Sequence, residues 1–124
     1  MFHRKQLIGN WHRSEHFENE NFSEYAQLFA DGTFKFSFYT YNLDGSLIEE
    51  ISELGDWGLV GDIHFTITKE EVESQQVFAA DMEDEDNYQA YKIIRLDANE
   101  FSYQHLRSGE SFTLSKVVPS ANQN

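Results

Sequence analysis

The chain has 124 residues, the length of one domain, with 40% hydrophobic residues, 15% aromatic residues and a formal net charge of −13. Nine lysines and arginines against 22 acidic residues are too few to displace phosphate counterions, which argues against nucleic acid and anionic membranes as partners. Without cysteine the chain has no disulfide, thiolate nucleophile or cysteine-based metal site, and no apolar run is long enough to span a bilayer.

Short alternating runs separated by turn dipeptides predict strands throughout, with no helical period of useful length. No apolar run follows Met1–Gln6, so no signal peptide is expected and the expected compartment is the cytoplasm. Gln6–Ser14 is the first expected strand, and the polar Glu15–Asn21 is a loop or a single helical turn. Tyr25–Ala30 and Thr33–Asn42 form a hairpin about Asp31-Gly32. In the second of these strands Phe34, Phe36 and Phe38 share one face, and Lys35 and Ser37 share the other.

After the turn Asp44-Gly45, Ser46–Leu59 is a long strand interrupted near Gly55, where a bulge or bend is expected. Gly61-Asp62 turns the chain into Ile63–Thr68, in which Ile63, Phe65 and Ile67 are expected inward and His64 toward solvent. Lys69–Asn87 is far longer than a hairpin needs and joins an apolar part around Phe78 to the acidic run Asp81–Asp86. Two readings stand for it: a flap with Phe78 over the barrel mouth, or a long twisted hairpin. Tyr88–Leu96, Phe101–Arg107 and Ser111–Val118 complete eight expected strands, and 119–124 is a polar tail. Tight connections force antiparallel neighbours, and eight such strands in succession either close into an up-and-down barrel or split into a sandwich; closure is favoured because it removes the exposed edges. The expected fold is therefore a single all-β domain over 1–118, an antiparallel up-and-down barrel.

Gly9-Asn10-Trp11, close to the N-terminus, resembles the Gly-x-Trp motif that opens lipocalins. Phe29–Phe34, the stretch Gly55–Asp62 and the late pair Tyr91–Leu96 with Phe101 resemble successive hairpins of small bacterial lipocalin-like, calycin-type barrels, so the resemblance covers about residues 6–118. It implies an eight-stranded barrel, with a basic residue near the last strand covering the first-strand Trp. Lys116 matches by position, and Arg107 is the second candidate. On residue chemistry alone, Trp11 beside Gly9 plugs one barrel end, with a cation over its ring. Gly9, Trp11 and Lys116 are thus structural.

Phe101, Tyr103, His105 and Arg107 alternate onto one face. Facing inward, they would set a phenol, an imidazole and a guanidinium in a row for a ligand's polar group; otherwise His105 and Arg107 sit at the wet rim. Tyr39 and Tyr41 either line a pocket or pack as an aromatic cluster. The expected ligand contacts are Tyr39, Tyr41, Phe78, Tyr91, Tyr103, His105 and Arg107. His12 and His16 have helical spacing on a strand, and Asp81–Asp86 lacks the glycine and spacing of a calcium loop, so neither a metal nor a cofactor is expected. No serine sits on a nucleophile elbow and no base is paired with an orienting group, so no enzymatic activity is expected. Two functions remain: a barrel holding a small apolar or amphipathic molecule, or a plugged acidic barrel that binds a basic protein partner. A lumen wide enough for a ligand separates the first from the second.

Overall fold

A computed structural model describes residues 2–118, and the expected polar tail lies outside the described residues. Alternating side chains and Asp-initiated turns organise the chain locally. The Asp31 carboxylate accepts from the Thr33 N–H at 2.9 Å, and the Asp44 carboxylate accepts from that of Ser46 at 2.9 Å. A helical turn α1 (Arg4–Leu7) precedes β1 (Gly9–His16), β2 (Asn21–Leu28), β3 (Thr33–Tyr41), β4 (Leu47–Val60) and β5 (Ile63–Glu73). Then come β6 (Gln76–Ala79), a 3-10 turn (Glu85–Asn87), β7 (Tyr88–Leu96), β8 (Glu100–His105) and β9 (Ser111–Lys116).

The strands pair in the order β4-β3-β2-β1-β9-β8-β7-β5, and β5 returns to β4, closing an antiparallel ring of eight. The seam is short: β1 meets β9 through Trp11 opposite Lys116 and His12 opposite Ser115. The bulge expected near Gly55 is present as a register shift between Leu54 and Gly55. A Cβ on Gly55 would stand 1.9 Å from the Ile67 carbonyl oxygen, so only glycine admits this close approach.

Three boundaries differ from the sequence expectation. Arg4–Leu7 is helical, with Leu7 buried beneath the barrel. β1 and β2 extend to His16 and back to Asn21, because the supposed loop pairs with itself down to a tight turn. β5 continues to Glu73 and folds back on β6 as a hairpin extension, so the twisted-hairpin reading of Lys69–Asn87 is the one realised.

The register of β5 is also opposite to the expected one. His64, Thr66 and Thr68 are buried and point inward, whereas Ile63, Phe65 and Ile67 lie half-buried on the outer face. Hydrophobicity misleads here because the outer face is clad by neighbours. Phe65 packs over Gly58, and Tyr88, Ala90 and Leu106 cover the same patch. Phe34, Phe36, Phe38, Phe101 and Tyr103 face inward as expected. The packed core joins Leu7 of α1 and Trp11 to Phe34 and Ile93, and its members Leu28 and Leu114 also border the cavity described below.

Candidate functional site

The floor is built first. Trp11 is fully buried, and its indole N–H donates to the Leu7 carbonyl at 2.9 Å. The Lys116 ammonium sits 4.4 Å from the Trp11 ring centre and donates to the Ile8 carbonyl at 2.8 Å. Gly9 makes room for it: its φ is +136°, and a Cβ there would lie 2.2 Å from the Lys116 Nζ. Of the two candidates for the base over Trp11, Lys116 therefore holds the position. A second tryptophan has the same arrangement, missed in the sequence. Trp57 is buried, donates to the Phe29 carbonyl at 3.0 Å and carries the Arg4 guanidinium 4.7 Å from its ring centre. Its one sequence signal is a basic residue, Arg4, ahead of the first expected strand.

Above this floor the barrel is open. A cavity of about 340 Å³ occupies the half away from α1. Its apolar wall includes Phe36, Phe38, Phe101 and Phe112. Part of its polar wall comes from alternate positions of β1, β2, β4 and β5, where the sequence reading had placed no ligand contacts. Arg13 lies directly opposite Glu24, with Nε 2.7 Å from the carboxylate. The same guanidinium donates to Glu15 at 2.5 Å and lies between the rings of Phe22 and Phe112, at 5.1 and 4.8 Å. Burial pushes the Glu24 carboxyl up against the downward pull of Arg13.

Glu53 also faces the cavity. The Thr68 hydroxyl donates to it at 3.4 Å, and burial, with Glu71 adding, pushes its carboxyl up. His64 is packed among Trp57, Tyr91 and Phe101 and is 3% exposed. Its Nδ1 has no hydrogen-bond partner, and burial lowers its pKa to about 4, leaving a neutral imidazole. This corrects the expected solvent-facing position. The signal was available as a register question only: either face of β5 could be inward.

The expected ligand contacts separate into two groups. Tyr91, Tyr103 and His105 line the cavity together. Burial pushes the Tyr91 hydroxyl up to about 12 and that of Tyr103 well above its usual range, so both are neutral hydrogen-bonding groups. His105 closes the rim, bonded through Nε2 to the Gln89 side chain and through Nδ1 to Ser108 at 2.8 Å. Tyr39, Tyr41, Phe78 and Arg107 lie elsewhere. Tyr39 and Tyr41 stack on each other, 6.3 Å apart, on the face opposite Phe38, because adjacent residues of a strand alternate. Arg107 falls beyond the end of β8 and ties down the 3-10 turn through Asp86 at 3.1 Å and the Glu85 carbonyl at 3.0 Å. Phe78 is half-exposed on β6, where it pairs with Glu71 instead of covering the mouth.

No family model and no curated protein matches the sequence. Among solved structures the chain is similar to a lipocalin-like protein from Bacteroides uniformis, at 16% identity over 90% of this chain and 99% of that one, with a TM-score of 0.53. At that identity the likeness speaks for the fold. Together with the closed antiparallel ring of eight, it makes this domain a lipocalin-like β-barrel.

Proposed function

We propose that the barrel binds a small apolar or amphipathic molecule in the cavity opposite α1 and carries out no chemistry on it. The observation that carries this reading is the cavity itself, about 340 Å³ with an aromatic wall. That volume lies within the range of ordinary ligand sites. The other function considered, a plugged barrel acting through its acidic surface, requires Phe36, Phe38 and Tyr103 to fill the lumen; they border open space instead. Aromatic walls supply apolar area, and Tyr91, Tyr103 and the Arg13–Glu24 pair supply the few placed polar groups that orient a ligand. The proposal puts this activity in the cytoplasm; among the described residues no helix is long and apolar enough to cross a membrane.

Native mass spectrometry of protein purified directly from cells tests the reading. The expected result is a defined mass excess lost on denaturation. A bare chain that also fails to take up 1-octanol would overturn it.

A further inference from the structure

We propose that the cavity selects ligands with a cationic head, an amphipathic primary amine being the simplest form, seated at the Glu53 carboxylate; this deepens the binding role proposed above and rests on it. The charge balance comes first. One arginine and three carboxylates, Glu24, Glu53 and Asp86, line the cavity. The arginine is already committed. Arg13 is bonded to Glu24 and Glu15 and held between two phenyl rings, so a ligand carboxylate could reach it only by breaking those contacts.

Glu53 is in the opposite condition. Its hydrogen bond from Thr68 is long, at 3.4 Å, and among the described residues no lysine, arginine or histidine forms an ion pair with it. Directly across the β4–β5 ladder stands Glu71, a like charge where a partner would stabilise. On its other side Glu53 faces Phe36 directly across the β3–β4 ladder, and Phe38 lies two residues further along the same face. A carboxylate beside ring faces in a cavity attracts an ammonium twice, by charge and through the ring quadrupole. Half-buried carboxylates without a cation are costly, and a cationic ligand removes that cost.

The second, independent observation is His64. It borders the same cavity, is 3% exposed, and leaves Nδ1 without a partner. Its ring has a backbone contact at Gly58 but Nδ1 makes no hydrogen bond of full geometry, which leaves a polar group of the cavity wall incompletely satisfied. A neutral imidazole does not repel a cation bound elsewhere in the cavity.

Calorimetric titration at physiological ionic strength with octylammonium, 1-octanol and octanoate, which share a tail and differ in head, decides the matter. Octylammonium is expected to bind about tenfold more tightly than 1-octanol, as one added charge–ring contact implies, with octanoate weakest. Glu53→Gln should abolish the preference, bringing octylammonium to the level at which the same variant binds 1-octanol. Glu49→Gln, the same charge change at an exposed position of β4, should leave the preference intact. Octanoate binding as well as octylammonium, or a preference that survives Glu53→Gln, would overturn the proposal. The wild-type ordering of heads decides it even without the variant. Binding of 1-octanol with no head preference overturns the cationic head and keeps the binding role. Failure of all three overturns both.

Discussion

Lys116 is a cation placed where a hydrophobic cap would serve, and its geometry explains why. Its ammonium covers the Trp11 ring and donates to the carbonyl of Ile8, the residue between α1 and β1. Burial lowers its pKa, the cost of that position. Trp11→Ala is expected to lose about 3–5 kcal/mol in urea unfolding, the range for large core truncations. Lys116→Met keeps the stem and should lose about 1 kcal/mol, the size of one cation–ring contact. Equal losses for the two variants would contradict this division of labour. His64 makes a different prediction. Its folded pKa of about 4 lies below the ordinary 6.5, so the folded state binds fewer protons between those values. Its contribution is intact above pH 6.5 and is lost as pH falls toward 4, by roughly 3 kcal/mol in total. Glu24 and Glu53, whose carboxyls are pushed up, act with the opposite sign over the acid range. The readout is therefore the difference between wild type and His64→Phe in urea midpoint at pH 7 and pH 4.5. The variant should lose less stability on acidification, and parallel losses would refute the buried neutral imidazole.

At the scale of elements, the bulge in β4 turns a long strand into part of a ring. Gly55 sits where the ladder shifts register, with the Ile67 carbonyl and the Phe34 ring in the space that a Cβ would take. Gly55→Ala must push backbone aside, and a loss of about 1–3 kcal/mol or more is expected by thermal or urea unfolding. Phe78→Ala on the exposed hairpin extension should change stability by no more than about 0.5 kcal/mol, since half of that ring is already in water. Strand existence, the bulge and the antiparallel order were legible because turns and alternation are local signals. The β3 face was legible too: Phe34, Phe36 and Phe38 have only Lys35 and Ser37 as rivals. On β5 both faces carry bulky residues, and inward placement was decided by neighbours distant in sequence. A lumen that holds a cavity inverts the usual rule, taking His64 and two threonines inside and leaving Ile63, Phe65 and Ile67 outside. Glu24, Glu53 and Arg13 were hidden for the same reason. Charged residues in alternating strands read as solvent-facing until the barrel is closed around them.

For the whole molecule, the division into a packed half and an open half is the central feature. The core near α1 supplies the stability, with Trp11, Leu28, Phe34 and Leu114 among its buried members. The half away from α1 exchanges further packing for space and for polar groups that the fold does not fully satisfy. Sites of function are where such exceptions to good packing are expected. The large negative charge is compatible with this, because Arg13, the cation of the cavity wall, is enclosed by carboxylates instead of being offered to an anion. The most direct test of a ligand-holding cavity is a titration of isotope-labelled protein with 1-octanol, followed by amide and aromatic chemical shifts. The account predicts saturable shifts at Glu24, Phe36, Tyr91 and Tyr103, with Tyr39, Tyr41 and Phe78 unmoved. Shifts confined to the outer tyrosines and the β5–β6 hairpin, or no saturable shift at any residue, would contradict it.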